Sequence, residues 1–263
     1  DVVHDWCKER FLPVVQDAME LADITPEQLD AVAVANQPGL TIALMVGVTA
    51  AKTLAWAWGK PLIAVNHIHA HLQSAMLEQK GQLELPAVAR VVSGGHTSLY
   101  DAQSCLDLRL LVKTIDDAAG EAFDKAAKIM GLPYPGGPLV DKFGKTGNPK
   151  AYSFSKPNIP GLDYSFSGLK TSFLYFLRDG LKEDPDFIEK NKEDLCASIQ
   201  DAIVGSLMDK LLKAIKQTGI RQVAVAGGVS ANSALRGAFI KQQEMGEIQA
   251  FIPEFQFTTD NAA

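Results

Sequence analysis

Short apolar runs that favour β-strands alternate along this chain with segments of helical spacing. Strand-like runs include DAVAVAN (30–36), KPLIAVN (60–66), AVARVV (87–92) and RQVAVA (221–226). Helical patterns lie between them, with apolar residues recurring every three or four positions. Alternation of this kind is typical of proteins in which helices pack on a largely parallel sheet. The sequence therefore predicts an α/β fold.

Local signals sharpen this prediction. Thr25, Pro26 and Gln28 have the arrangement of a helix N-terminus, with a cap, a proline at the first position and an amide three residues on. Residues 41–58 are rich in Ala, Leu and Met and predict a buried helix. Residues 132–163 are rich in proline and glycine and predict a long irregular loop, which at such a length is usually functional.

Composition limits the functional classes. A net charge of −6 over 263 residues argues against holding nucleic acid by bulk electrostatics and leaves only a local basic patch open. Cys7, Cys105 and Cys196 lie far apart without C-x-x-C spacing, which predicts a reducing, cytoplasmic setting. The sequence contains no apolar run of about 18 residues, so we expect a soluble protein.

Three histidines, His67, His69 and His71, follow directly on the predicted strand 60–66. Good helix formers surround them, so we expect a helix that holds His67 and His71 about 40° apart and turns His69 to the other side. Two imidazoles one turn apart can bind one divalent ion, with a third ligand from elsewhere. The alternative is three partly exposed histidines and no metal. A metalloprotease is disfavoured, because Ile68 occupies the position of its general base.

The stretch VVSGGHTSLY predicts a strand, a Gly-Gly turn and a second strand. Gly94 and Gly95 would let the main chain approach a ligand closely and direct amides at an anion. Ser93 and Thr97 add hydroxyl groups beside them. The alternative interpretation is a plain hairpin turn.

The stretch AVAGGVSANSAL has a related arrangement, because Gly227 and Gly228 lie between a predicted strand and a predicted helix. We expect Ser230 to cap this helix and Asn232 to lie in its first turn, where backbone amides suit a phosphate or a ribose. The spacing matches neither a Rossmann glycine motif nor a P-loop. Glycines that only allow tight packing of strand and helix are the alternative.

Carboxylates and a proline-glycine turn supply further candidates. Glu121 and Asp124 share one face of a predicted helix, where they could form a solvated surface or bind ribose hydroxyls. Gly137, within YPGGP, permits the close approach of a ligand. Asp260, within TTDNAA, could complete a metal set of two histidines and one carboxylate, although a lone Asp in a turn is more often a cap.

The chain resembles the TsaD-type family of tRNA adenosine threonylcarbamoyltransferases, in family order and over almost its whole length. The matching stretches are PLIAVNHIHAH, VVSGGHT, DDAAGEAFDKAAKIMGLPYPGGP, GLDYSFSGLKT, AGGVSANSALR and TTDNAA. The resemblance implies an actin- and sugar-kinase-like (ASKHA) fold of two RNase H-like lobes. It implies transfer of a threonylcarbamoyl group from threonylcarbamoyl-AMP to N6 of the adenosine beside the anticodon, in tRNAs that read codons starting with A.

The resemblance also implies roles for individual residues. His67, His71 and Asp260 would bind one divalent metal, Fe²⁺ or alternatively Zn²⁺, which would act as a Lewis acid. The nucleotide, threonylcarbamoyl-AMP or ATP/AMP, would be held by Val91, Val92, Ser93, Gly94, Gly95, Asp124, Gly137 and Asn232. AMP is a good leaving group, so no protein nucleophile would be required. The partners would be tRNA and two bacterial-type subunits, a non-catalytic paralogue and a small ATPase.

The same resemblance implies how the chain divides. Residues 1–86 would be the remainder of the first lobe, 87–257 the second lobe, and 258–263 the return segment with the third metal ligand. The chain starts without the family's usual opening phosphate loop, so we expect a fragment cut at both ends with an incomplete first lobe. Val91 stands where archaeal and eukaryotic relatives often carry tyrosine, which together with SGGHT indicates a bacterial or organellar type.

Two other kinds of function are weighed against this one. A small-molecule kinase or another carbamoyltransferase would keep the fold, but a kinase would be expected to show a carboxylate base in the cleft and would not need the histidines. A non-catalytic scaffold would have no reason to retain His67, His71 and Asp260 together.

Overall fold

The structure is a computed structural model that describes residues 11–77, 83–104, 106–154 and 163–258. Helices and strands alternate along it, which confirms the predicted α/β class. The chain divides into two compact units, residues 1–70 and 71–263. The sequence placed a lobe boundary after residue 86, whereas this division comes earlier, inside a helix that starts at His67.

From residue 11 up to that boundary, the described part of the first unit contains a two-stranded parallel sheet and two α-helices. In chain order they are α1 (Leu12–Ala22), β1 (Val32–Gln37), α2 (Thr41–Ala57) and β2 (Leu62–Asn66). The predicted helix start at Thr25 is a single 3-10 turn, Pro26–Gln28, in which the Thr25 N–H donates to Oε1 of Gln28 at 2.7 Å. The cap was therefore correct, and the helix that it opens is short.

The prediction that residues 41–58 form a buried helix was half wrong. The helix is there as α2, but Ala51 and Ala55 are its only buried residues, and Met45 and Trp56 are 63% and 84% exposed. Gly47 faces Val34 of β1, so the helix meets the sheet through small residues spaced four apart. A two-stranded sheet offers surface for one narrow face of the helix, and apolar composition alone did not reveal how little would be covered.

The second unit is built on a five-stranded sheet with the order β5-β4-β3-β6-β7. Its strands are β3 (Ala87–Val92), β4 (Thr97–Ala102), β5 (Leu108–Lys113), β6 (Gln222–Ala226) and β7 (Gln249–Phe251). Strands β3, β4 and β5 pair antiparallel, while β3, β6 and β7 pair parallel. Because β3 and β6 run parallel, both Gly-Gly turns leave the sheet at the same edge, where α/β proteins commonly bind ligands.

Among the described residues, one α-helix crosses the division between the units, and six lie in the second unit. They are α3 (His67–Leu77), α4 (Ala119–Ile129), α5 (Gly136–Gly144), α6 (Ser167–Glu183), α7 (Phe187–Lys190), α8 (Lys192–Thr218) and α9 (Ser233–Glu244). The core between sheet and helices includes Val88, Phe123, Phe173, Leu195 and Phe239. Among the described helices, none combines the length and apolarity that a membrane crossing requires.

The predicted irregular loop 132–163 is also corrected, because α5 lies inside it. Proline and glycine obscured this helix in the sequence, yet Pro135 stands at its N-cap, a place where a proline leaves the helical hydrogen bonds intact. Further along the chain, Asn191 separates the short α7 from the long α8. Residues 155–162 lie outside the described part of the chain.

Segment 163–167 is held in place by buried polar contacts at Arg90 and by more exposed ones at Asp116. The fully buried guanidinium of Arg90 donates to the Tyr164 hydroxyl at 2.8 Å and to the Leu207 carbonyl at 2.9 Å. The carboxylate of Asp116 accepts hydrogen bonds from the Phe166 N–H at 2.8 Å, from the Ser167 hydroxyl at 2.7 Å and from the Ser165 hydroxyl. These contacts bring the start of α6 against the approach to α4.

Candidate functional site

The histidine helix begins where the sequence predicted. Oδ1 of Asn66 accepts hydrogen bonds from the N–H groups of Ile68 at 2.9 Å and His69 at 3.2 Å, so Asn66 caps α3 and His67 is its first residue. His67 and His71 are then one turn apart. His71 is 5% exposed, while His67 and His69 are half-buried.

The metal site stays a prediction. Asp260, the expected third ligand, lies outside the described residues, and within those residues no group of three His, Cys, Asp or Glu side chains could hold a metal ion. Two imidazoles one helical turn apart do have the donor chemistry and spacing that a first-row divalent ion accepts. His67 and His71 therefore fit as two of the three expected ligands.

The first Gly-Gly turn is a hairpin turn that leaves open space on one side. The Ser93 N–H donates to the His96 carbonyl at 2.8 Å, and the His96 N–H donates to the Ser93 hydroxyl at 3.1 Å. A Cβ added to Gly94 or Gly95 would meet nothing within 4 Å. The turn can therefore admit a ligand against its main chain. Val91 and Val92, by contrast, are fully buried in β3.

Close packing holds three loops together around this turn. A Cβ on Gly120, in the first turn of α4, would lie 2.7 Å from the Ser93 carbonyl oxygen. A Cβ on Gly227 would lie 2.5 Å from the Val92 carbonyl oxygen, and the φ of Gly227 is +91°. Only glycine fits either place without displacing the main chain, so these two glycines determine how closely α4 and the β6 turn approach the hairpin.

At the second Gly-Gly turn, the residue predicted to cap the following helix, α9, was wrong. Ser230 lies in a 3-10 turn, Gly228–Ala231, and its side chain does not cap α9. The cap is Asn232, whose Oδ1 accepts a hydrogen bond from the Leu235 N–H at 3.0 Å. The intervening 3-10 turn moves the helix start two residues further along, because it must finish before the helix begins.

Asp124 and Gly137 are brought together as the sequence interpretation requires. Oδ1 of Asp124 accepts hydrogen bonds from the N–H groups of Gly136 at 2.8 Å and Gly137 at 3.1 Å, so a residue of α4 holds the first turn of α5. Glu121, the other carboxylate on this face, forms an ion pair with Lys125 at 2.7 Å and belongs to the solvated surface.

A cavity of about 290 Å³ lies among these loops, wholly within the second unit. Its lining contains five residues that the sequence singled out, Gly94, Asp124, Gly137, Gly228 and Asn232. The cavity thus places open main-chain positions, a carboxylate and an amide around one space. That set can bind an anion at the turns and hydroxyl groups at the carboxylate.

Sequence reasoning missed two polar residues of this site. Asp141 of α5 lines the cavity, and its Oδ1 accepts hydrogen bonds from the Ser233 N–H at 3.1 Å and hydroxyl at 2.6 Å. Gln200 of α8 accepts a hydrogen bond from Nδ2 of Asn232 at 2.6 Å. Asp141 was hidden by the loop assignment, and Gln200 lies in the middle of a long helix without any local signal.

The fold defines an α/β protein of the ASKHA class. The crystal structure of T. kodakarensis HypF superposes with a TM-score of 0.65 over 94% of this chain and 41% of its own, at 14% sequence identity. Full-length HypF in a phosphate- and nucleotide-bound form superposes with a TM-score of 0.61 over 92% of this chain and 38% of its own, also at 14% identity. Component A of Acidaminococcus fermentans (R)-2-hydroxyglutaryl-CoA dehydratase, 13% identical, has a TM-score of 0.52 over 95% of this chain and 76% of its own.

The sequence narrows the class to one family. The profile of TsaD, tRNA N6-adenosine threonylcarbamoyltransferase, matches residues 3–263. Two relatives named tRNA N6-adenosine threonylcarbamoyltransferase, from Porphyromonas gingivalis and Phocaeicola vulgatus, are 50% and 52% identical over 97% of this chain, and the alignments span 76% and 77% of their lengths. The chain belongs to the tRNA N6-adenosine threonylcarbamoyltransferase family, and the family and fold inferred from the sequence motifs are both confirmed.

Proposed function

We propose that this chain transfers the threonylcarbamoyl group of threonylcarbamoyl-AMP to N6 of the adenosine beside the anticodon, in tRNAs that read codons starting with A. The observation that carries the proposal is the convergence of Gly94, Asp124, Gly137 and Asn232 on one cavity, in a chain of this family. These residues come from four separate stretches of sequence. Convergent polar groups in a well-formed cavity favour a binding site.

In this proposal an adenine nucleotide, either threonylcarbamoyl-AMP or ATP or AMP, occupies the cavity. The phosphate faces the Ser93–Gly95 turn, because a Cβ at Gly94 or Gly95 would meet nothing within 4 Å and an anion can therefore approach the main chain there. Oδ1 of Asp124 already accepts two N–H groups, so its other oxygen is the one available to a ribose hydroxyl. Asn232 supplies an amide to the same ligand.

His67, His71 and Asp260 would hold iron or zinc in this proposal. The support is the placement of the two histidines one turn apart on α3 and the preference of such ions for imidazole and carboxylate ligands. A bound metal would supply Lewis-acid stabilisation of negative charge on the carbamoyl oxygen. The two histidines would each supply one imidazole nitrogen to the metal.

The transfer step needs no nucleophile from the protein. The N6 amine attacks the carbamoyl carbon, a C–N bond forms, and the C–O bond to the phosphate breaks. AMP leaves with the bonding electron pair, and the proton from N6 passes to solvent. The contribution of the chain is to hold the activated carbamoyl group in one orientation and to keep water from competing with the amine.

The charge of the chain bears on its partners. At −6 it is a poor general binder of a polyanion, so we infer that tRNA reaches the site with help from other subunits, a non-catalytic paralogue and a small ATPase. We keep the cytoplasm as the expected compartment, since the cysteine spacing suits a reducing environment.

The test supplies the chain with threonylcarbamoyl-AMP, Fe²⁺ or Zn²⁺, tRNA and the two partner subunits, followed by mass spectrometry of the nucleosides. The 50% identical relative from P. gingivalis, assayed in parallel, is the positive control. We expect threonylcarbamoyladenosine only in tRNAs that read codons starting with A. A product made by the relative, and not by the same relative carrying this chain in place of its aligned 260 residues, would overturn the proposal.

Two sets of variants separate the nucleotide site from the metal site. Asp124→Ala is expected to weaken AMP binding at least tenfold, because it removes one or two hydrogen bonds to a charged group. The same variant is expected to leave metal content unchanged. His67→Ala with His71→Ala is expected to abolish bound metal by elemental analysis and to leave AMP binding intact. His69→Ala is the matched control, and loss of metal in that variant would contradict the assignment of the pair.

A further inference from the structure

The side chain of Asn232 makes two hydrogen bonds, and both are compatible with the same orientation of its amide group. Oδ1 accepts from the Leu235 N–H at 3.0 Å, and Nδ2 donates to Oε1 of Gln200 at 2.6 Å. Asn232 is 8% exposed and Gln200 is 4% exposed. An amide oxygen can only accept and an amide nitrogen can only donate, so reversing the Asn232 amide would break both contacts.

This orientation determines what Asn232 offers to a ligand. One of its two Nδ2 hydrogens goes to Gln200, and the second can donate to a ligand in the cavity that Asn232 lines. Leu235 is part of the helix that Asn232 caps, and its N–H sets which end of the planar Asn232 amide faces that helix. Gln200 is the contact that holds the nitrogen.

Gln200 reaches this position from α8, 32 residues earlier in the chain. Gly144 of α5 makes room for it, because a Cβ there would lie 3.2 Å from Nε2 of Gln200. The glutamine is therefore enclosed between α5 and α9 and is not among the residues that line the cavity. Within the described part of the chain, the hydrogen bond to Asn232 connects Gln200 directly to the lining of the cavity.

We propose that Gln200 is a positioning residue of the nucleotide site, which holds the Asn232 amide with an N–H directed at an acceptor atom of the bound adenine nucleotide. The inference rests on the proposed function, because it requires a nucleotide in this cavity. It adds a residue that does not touch the ligand and sets which hydrogen-bonding group the cavity presents.

The experiment must separate this role from simple support of the fold. Gln200→Met keeps the length of the side chain and removes the acceptor for Nδ2. Gln200→Glu keeps an acceptor oxygen and places a carboxyl group in a buried position, which costs stability. If Gln200 only supports the fold, nucleotide affinity follows stability; if it positions Asn232, affinity follows the presence of the acceptor.

AMP affinity by titration calorimetry and melting temperature are measured for each variant. Gln200→Met is expected to bind AMP about tenfold more weakly, the worth of one well-placed hydrogen bond. Gln200→Glu is expected to stay within about threefold of the original affinity despite a lower melting temperature. Gln200→Leu repeats the loss of the acceptor with a second side chain, in case the methionine variant does not fold.

Ser198→Ala is the matched control, since Ser198 is 2% exposed on the same helix and accepts a hydrogen bond from the Tyr152 N–H at 3.1 Å. It is expected to lower the melting temperature and to leave AMP affinity unchanged. Unaltered AMP affinity in Gln200→Met, or equal losses in the Met and Glu variants, would overturn the inference. Absence of AMP binding by the unaltered chain would instead overturn the proposed nucleotide site, so the two failures are distinguishable.

Discussion

The two units of this chain differ in how completely they bury their apolar side chains. In the second unit β3 is buried along its whole length, and Phe173 and Leu195 have no solvent exposure. In the first unit Trp56 and Ile63 are 84% and 50% exposed. A sheet of five strands supports several helices, whereas a sheet of two strands covers a single face of one helix.

This difference explains why the candidate nucleotide site belongs to the second unit. Its loops are held by contacts that leave no room for a side chain, such as Gly120 against Ser93 and Gly227 against Val92. Binding residues carried on loops need a rigid scaffold beneath them to keep their positions. The five-stranded sheet and its helices provide that scaffold from the second unit's own residues.

The largest expected change in the free energy of unfolding comes from removing a buried ring, and it is compared with the removal of an exposed ring. Phe173→Ala should lower the free energy of unfolding by about 3–5 kcal/mol, because a fully enclosed ring leaves a cavity behind. Trp56→Ala removes a larger side chain, yet it should change the free energy by no more than about 0.5 kcal/mol. Urea unfolding of both variants checks this, and equal losses would refute the contrast between the units.

An intermediate loss of stability is expected from a substitution in the second Gly-Gly turn. Gly227→Ala combines a φ of +91° with a Cβ 2.5 Å from the Val92 carbonyl oxygen, so it should cost about 1–3 kcal/mol and loosen the contact between β3 and β6. Gly228→Ala meets nothing within 4 Å and should leave thermal stability nearly unchanged. If the two variants melted at the same temperature, close packing would not be what orders this turn.

The smallest expected effect is the contribution of two carboxyl groups, Asp116 and Glu27, to stability at acidic pH. Burial raises the pKa of Asp116, but hydrogen bonds from Ser165, Phe166 and Ser167 outweigh it and leave the pKa below its ordinary value. The hydrogen bond from the Thr25 side chain is the main cause that lowers the pKa of Glu27. A lowered pKa stabilises the fold above the ordinary carboxyl pKa of about 4, and this contribution is lost as the pH falls through the lower value.

Asp116→Asn should therefore destabilise the second unit at pH 7, by at most about 1 kcal/mol because solvent screens an exposed group. The difference from the unaltered chain should shrink below a pH of about 4. Glu27→Gln, in the first unit, should not shift the acid unfolding midpoint measurably. Acid titration monitored by circular dichroism compares the two variants with the unaltered chain. A stability difference between Asp116→Asn and the unaltered chain that persisted at pH 2 would contradict the lowered pKa of Asp116.

Local signals in the sequence predicted the elements whose causes are local. The start of α3 was placed correctly because its cap, Asn66, is the neighbouring residue. The hairpin around Gly94 was placed correctly because a glycine pair between two β-rich runs is itself the turn signal. Where the cause lies elsewhere in the chain, prediction failed. The carboxylate that holds the first turn of α5 is Asp124, on another helix.

The choice between two possible caps shows the same limit. Ser230 and Asn232 are both residue types that cap helices well, so the sequence alone favoured the first. The structure uses Asn232, because a 3-10 turn intervenes and Gln200 binds the amide nitrogen from a distant helix. The burial of α2 failed for a related reason, since apolar composition says nothing about how much neighbouring surface exists to cover it.

By itself, the sequence determined the α/β class, the family and most of the candidate residues, because strand and helix periodicity and short motifs are written in neighbouring positions. Only the tertiary structure decided that Gly94, Asp124, Gly137 and Asn232 share one cavity. The parallel pairing of β3 with β6 brings two distant glycine turns to the same edge of the sheet. Such pairing depends on contacts between residues more than a hundred positions apart, which no local pattern can express.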